Sequence, residues 1–195
     1  MNEYNYDDDG DIADYKTKDD YFPELDDDKV TPIKAELSLH DLLMDQLNML
    51  ALGEDEFKIA EQIIGSLDDD GYLRRALQSI ADDLAFKQGM LVEEKTIAAI
   101  LLKIQAFDPA GIAARNLQEC LLLQLRRKLQ DEEEKSFEHK QDIIYAIQII
   151  DKYFEEFTRK HYDKIQKNLH LNDVDMKGVL HEIVSLNPKP GAESG

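Results

Sequence analysis

From Leu37 onward the apolar residues return every third or fourth position, and no stretch alternates convincingly enough to make a strand. That period confines the chain to packed helices, because a helix gathers such positions on one face. Stop signals then divide the run. Leu39, Leu42, Leu43, Gln46, Leu47 and Leu50 mark a first helix that Gly53 breaks. Ser38 is its expected cap, with Asp41 at the capping-box position and Leu37 and Leu42 spaced as a staple. Phe57, Ala60, Ile63, Ile64 and Leu67 mark a second, stopped by Asp68-Asp69-Asp70-Gly71, where the glycine suits a positive φ. Leu73, Leu77, Ile80 and Leu84 mark a third, ending near Gly89. Ile97, Ile100, Leu101 and Ile104 mark a fourth, ending at Phe107-Asp108-Pro109. Asn116 begins a fifth, paired with Glu119, whose face is Leu117, Cys120, Leu121, Gln124, Leu125 and Leu129. Beyond the charged break 131–135, Ile143, Ile147, Ile150, Phe154 and Phe157 form the narrow seam of a long sixth helix. Tyr162, Ile165 and Leu169 mark a seventh. Met176, Val179, Leu180, Ile183 and Leu186 mark an eighth, stopped by Asn187-Pro188-Lys189-Pro190-Gly191.

The expected fold class is therefore all-α, with about eight helices in two packed subdomains, 37–130 and 136–195. A faint internal echo supports paired units. Ile104-Gln105-Ala106-Phe107-Asp108-Pro109 matches Ile183-Val184-Ser185-Leu186-Asn187-Pro188 in type, and Ile97 and Ile100 meet Met176 and Val179 at the same offset. Each copy resembles a helix-turn-helix, a shape that many proteins use only for packing.

Charge divides the chain differently. Residues 1–36 hold 13 acids against 4 lysines, a net −9 of the total −19. Asp7-Asp8-Asp9, Asp19-Asp20 and Asp26-Asp27-Asp28 alternate there with Tyr4, Tyr6, Tyr15, Tyr21 and Phe22, without any helical or strand period. Such a segment buries too little apolar area to offset the entropy of ordering, so it is expected to be disordered. Acidity also argues against free-standing binding to phosphate backbones and favours a basic protein partner. No apolar run approaches the roughly 20 residues of a membrane span. The polar, acidic start is no signal peptide, and a single cysteine fits a reducing cytosol. The expected setting is cytoplasmic, without a membrane partner.

Little catalytic chemistry is legible. With Gly71 at the sixth position of an EF-hand loop, Ser66 falls first and Leu77 twelfth, where a bidentate glutamate is needed. The same test on Asp7-Asp8-Asp9-Gly10-Asp11 puts Lys16 twelfth. His40, His139, His161, His170 and His181 show no zinc spacing. Cys120 sits on a leucine face, where an inert thiol is the default. No phosphate-cradling glycine loop or serine elbow is present. The expectation is no enzyme, no catalytic residue, no metal, no cofactor and no small-molecule substrate. Three polar features stand out: the turn Phe107-Asp108-Pro109-Ala110-Gly111-Ile112-Ala113-Ala114-Arg115, the pair Arg74-Arg75, and Arg126-Arg127-Lys128. The last is explained by the dipole of its own helix.

These segments resemble one family. Ile63-Ile64-Gly65-Ser66-Leu67-Asp68-Asp69-Asp70-Gly71-Tyr72-Leu73 is similar to the "I-x-x-L-D-x-x-G-Y-L" signature of the activator-dependent bacterial sigma factors, the sigma-54 (RpoN) family. The stretch from Phe107-Asp108-Pro109 through Arg115-Asn116-Leu117-Gln118-Glu119-Cys120 to Gln124-Leu125 resembles its "F-D-P-x-G-[VI]-x-A-R-x-L-x-E-C-L-x-L-Q-L", and Leu186-Asn187-Pro188-Lys189-Pro190-Gly191 its "L-x-P-K-P-G". The resemblance runs from about Leu37 to Gly191. It implies the central, core-polymerase-binding region of such a factor: two helical subdomains, the second similar to a helix-turn-helix, preceded by the family's variable acidic region. The implied partner is core RNA polymerase, through its β and β′ subunits. The family's glutamine- and leucine-rich activator region, promoter-reading helix-turn-helix and arginine-rich box are not matched, so the chain reads as a piece of a longer factor. Promoter DNA is then expected to be met only through parts absent here. The expected contact residues are Asp68, Gly71, Tyr72, Arg74, Arg75, Phe107, Asp108, Pro109, Gly111, Arg115 and Asn116. The alternative is a DNA-binding helix-turn-helix regulator, which needs a basic recognition helix; 93–107 carries Glu93, Glu94, Lys95 and Lys103, net zero.

Overall fold

Each helix of the fold begins and ends where local chemistry gives its backbone somewhere to bond. A computed structural model describes residues 38–131 and 136–192; the acidic segment 1–36 and Leu37 of the expected staple lie outside the described residues. Among the described residues there are nine helices and no strand. They are α1 (Leu39–Met49), α2 (Glu54–Gly65), α3 (Leu77–Gln88), α4 (Glu94–Gln105), α5 (Leu117–Asp131), α6 (Phe137–Lys152), α7 (Phe154–Thr158), α8 (Tyr162–Leu169) and α9 (Asp173–Val184). Ser38 caps α1 by accepting the Asp41 amide on its hydroxyl at 3.1 Å. Ser136 and Asn172 do the same for α6 and α9. Gly89 ends α3 in the left-handed region at φ 65°. At α5 the pairing is shifted by one residue: Asn116 accepts the Glu119 amide at 2.8 Å, while the Glu119 carboxylate accepts the amide of Arg115, not of Asn116, at 2.7 Å.

Two boundaries depart from the sequence expectation. The long sixth helix breaks at Tyr153 (φ −125°, ψ 31°), which separates α6 from α7. The seam of apolar residues crosses the break because Tyr153 keeps both flanking bonds, its amide to Ile149 and its carbonyl from Phe157. The third helix starts at Leu77 rather than Leu73. Leu73 is committed elsewhere, its amide donating to the Ala114 carbonyl at 2.9 Å, beside Ala113 donating to Gly71 at 2.8 Å.

Two apolar clusters result. Leu43, Leu47, Ile63, Ile80, Leu84, Ile97, Ile100 and Ile104 centre the first, drawn from α1 to α4. The second joins Leu121 and Leu125 of α5 to Ile143, Ile149 and Ile150 of α6, Ile165 of α8 and Val179 and Ile183 of α9. The buried leucines of α5, expected with the first bundle, thus pack into the second. Tyr72, Ala114 and Cys120 form a third, small group. The internal echo is visible in the helices, since α4 and α9 are both 12 residues long and bury residues at matching positions, Ile97, Ile100 and Ile104 in α4 and Met176, Val179 and Ile183 in α9.

Candidate docking surface

The three motifs, far apart in sequence, fold into one knot. Asp68 starts it: its Oδ1 accepts the amides of Asp70 (3.0 Å) and Tyr72 (2.9 Å), closing a tight turn. Gly71 has φ 92°, and a Cβ there would stand 2.8 Å from the Ile112 side chain and 2.9 Å from the Gly191 nitrogen. Gly191 is its counterpart. Its amide donates to Asp70 at 2.9 Å, and a Cβ on it would lie 2.6 Å from the Gly71 nitrogen. Only two glycines allow these backbones to come so close.

Side chains complete the closure. The Tyr72 hydroxyl donates to the Pro188 carbonyl at 2.5 Å. Gln124 and Asn187 exchange two bonds, amide side chain to carbonyl at 2.6 Å and backbone amide to side chain at 2.9 Å. Burial pushes the Tyr72 phenol well above its ordinary range, with the neighbouring Cys120 adding to the effect. Burial likewise pushes the Cys120 thiol up, so it has the character of a packed, protonated group rather than a nucleophile.

The second turn is pinned from two helices. Gln46 of α1 clasps Asp108, accepting its amide at 2.8 Å and donating to its carbonyl at 2.8 Å. Arg127 of α5 donates to the carbonyls of Gln105 (3.1 Å) and Phe107 (2.9 Å) and pairs with the Asp108 carboxylate at 2.9 Å. Arg127 therefore caps the end of α4 rather than its own helix. Lys128 reaches α9, where it pairs at 2.6 Å with Glu182, a carboxylate only 4% exposed. Arg126 is exposed.

The expected contact residues separate by depth. Gly71, Tyr72 (3% exposed), Phe107 (5%) and Gly111 are buried in the knot and its flanks. Asp68 and Pro109 are half-buried. Arg74, Arg75, Asp108, Arg115 and Asn116 are exposed. Arg74 stacks its guanidinium 4.2 Å from the Tyr72 ring centre, Arg75 pairs with Asp83 at 2.8 Å, and Arg115 stands 3.6 Å from Glu119. Two shallow grooves flank α5: Asp108 lines one with Leu102 and Leu123, Arg115 and Asn116 line the other, and Arg126 borders both. Sequence reasoning placed Gln46 and Gln124 on apolar helix faces and Arg127 in a basic run, but did not foresee their bonds across the fold. The signal was present, since Gln46 and Gln124 are amides set on otherwise apolar helix faces. Among the described residues no three His, Cys, Asp or Glu side chains gather as metal ligands, and no helix is long and apolar enough to cross a membrane.

The fold is an all-helical domain in which the turns of the three motifs meet and exposed polar groups remain beside them. The family model of the sigma-54 factor core binding domain matches residues 30–195, and the chain belongs to that family. It is 35% identical over 158 residues to an RNA polymerase sigma-54 factor of Acidithiobacillus ferridurans, covering 81% of this chain and 30% of that protein. It is 32% identical over 186 residues to the one of Azotobacter vinelandii, covering 92% and 34%. To the one of Bacillus subtilis it is 31% identical over 154 residues, covering 79% and 31%. The chain thus spans about a third of the length of these relatives.

Proposed function

We propose that this chain docks on core RNA polymerase and so tethers a sigma factor to it for transcription initiation, as a non-enzymatic, cytoplasmic module. Membership of the core binding domain family carries the reading. The geometry supports it by dividing labour within the motifs. The buried motif residues hold the knot, and the exposed ones, Asp108, Arg115 and Asn116 beside α5 and Arg74 and Arg75 on the first turn, present a polar rim. Leu102 and Leu117, both exposed, give that rim apolar anchors, which carry most of the energy in protein interfaces. The β and β′ subunits of the polymerase are the surfaces we assign to it. The alternative of a DNA-reading helix-turn-helix is less well supported, because residues 93–107 carry no net charge and the first turn of α9 carries Asp173 and Asp175.

Capture of core RNA polymerase tests this directly. The parent chain should retain the enzyme at moderate salt. The paired change Asp108→Lys with Arg115→Glu should weaken retention about 10-fold or more while helicity is kept. Failure of the parent to retain polymerase would refute the tethering role.

A further inference from the structure

Against the expectation that DNA is met only through parts absent here, we propose that the α7–α8 turn is a contact for the sugar-phosphate backbone of duplex DNA. In a chain of net charge −19, the twelve residues from Arg159 to His170 hold four basic groups and one acid, Asp163. The fold puts three of these cations on one patch. Lys160, Lys164 and Lys167 are exposed and, with His161, Tyr162 and Asp163, line one shallow depression. Arg159 is engaged by Glu155 at 3.0 Å.

The patch is held on a firm base. Lys160 takes a left-handed conformation at φ 61°, fixed by its amide bond to Phe157 at 3.0 Å and by the His161 amide bond to Glu156 at 2.8 Å. The Tyr162 ring packs on Phe157 with centroids 6.2 Å apart. Ile165, fully buried, fastens α8 to the second cluster, so Lys164 and Lys167, neighbours one turn apart, stay outside.

Phosphate suits this surface better than protein does. A protein interface needs apolar anchors at its centre. Among the described residues, none of the large exposed apolar side chains lies between Arg159 and His170. Lysines are flexible point charges, which position a phosphate backbone without reading bases. The contact is weak and sequence-independent. Asp163 within the depression and the acids beyond it hold down its affinity for free DNA, and it counts where DNA is already held close, which raises the effective concentration.

The test is a titration of the 15N-labelled full chain with a 20-base-pair duplex of arbitrary sequence in about 0.1 M salt. There the Debye length is about 10 Å, so the lysines act with little interference from distant acids. Amide shifts should centre on Lys160, Tyr162, Lys164 and Lys167. Three phosphate contacts predict a roughly 20-fold loss of affinity between about 0.1 and 0.3 M salt. Lys160→Gln, Lys164→Gln and Lys167→Gln together should abolish the response while leaving the rest of the spectrum in place, and the three Lys→Arg changes should retain it. Absence of shifts in this patch, or shifts centred elsewhere, would overturn the proposal. An equal response to polyglutamate of matched charge would overturn it too, since the occupant would then be an acidic protein. The readout needs no polymerase, so it stands or falls apart from the tethering role.

Discussion

A phenol held under the Pro188 carbonyl resists ionisation. In the folded state the pKa of Tyr72 is raised above the ordinary phenol value, chiefly by burial. Its contribution to stability is therefore complete below about pH 10 and is lost as the pH rises through the folded value. In a spectrophotometric titration of the eight tyrosines, one should ionise late and together with unfolding, and Tyr72→Phe should remove that component. The same substitution deletes one hydrogen bond to a carbonyl and should cost about 1 kcal/mol, or about 2–4 °C in Tm. Asp142 on α6 has the opposite sign. Burial raises its pKa, and Glu182 and Asp175 raise it further, against a lowering by His139. A carboxyl whose folded pKa is raised weakens the fold at neutral pH, and the penalty fades as pH falls through that value. Asp142→Asn should raise Tm at pH 7 by about 1–3 °C, a modest gain because the side chain is not sealed from water. The gain should shrink toward pH 4; a constant gain across that range would mean that charge is not its cause. Neither residue's role was legible in advance. Tyr72 was read as a contact because it sits in a signature, and its partner Pro188 lies 116 residues away.

At the scale of elements, the segment 187–191 behaves as a strap that closes on the first turn. Gly191→Ala would put a Cβ 2.7 Å from the Asp69 carbonyl as well as against the Gly71 backbone, and backbone cannot swing aside as a side chain does. The variant should lose about 1–3 kcal/mol, the cost typical of overpacking. Gly65 is the control: a Cβ there meets nothing within 4 Å at the end of α2, so Gly65→Ala should be neutral or raise Tm slightly. Equal melting of both variants would show that the strap carries no stability. Most helices could be read from spacing because caps and stops are local: Ser38, Asn116 and Gly89 acted where expected, while Gly71 takes the expected positive φ but α2 has already ended at Gly65. What spacing misses is a helix whose two faces serve different neighbours. Cys120 and Leu123 of α5 join the small third group while Leu121 and Leu125 enter the second cluster, and a single apolar stripe does not say which bundle it will meet. The break at Tyr153 escaped for a related reason, since one residue leaving helical φ, ψ barely disturbs the period on either side.

For the whole molecule the question is how so acidic a chain finds its partner. Removing residues 1–36 takes away −9 of the −19 while leaving untouched every helix described here. Because the removed stretch has no apolar period, Tm should change by no more than about 1–2 °C. Its charge should matter for encounter instead. A strongly negative chain is drawn toward a basic surface over a Debye length, an effect on association rate more than on dissociation. If polymerase presents such a surface, the shortened chain should associate about 3- to 10-fold more slowly in 20–50 mM salt. The two rates should converge above about 0.3 M, where screening leaves only short-range contacts. Dissociation, governed by the apolar anchors and the exposed rim near α5, should be nearly the same for both. Equal association rates at low salt would show that the acidic segment does not steer docking. A large rise in dissociation rate on its removal would show that it forms part of the bound interface itself.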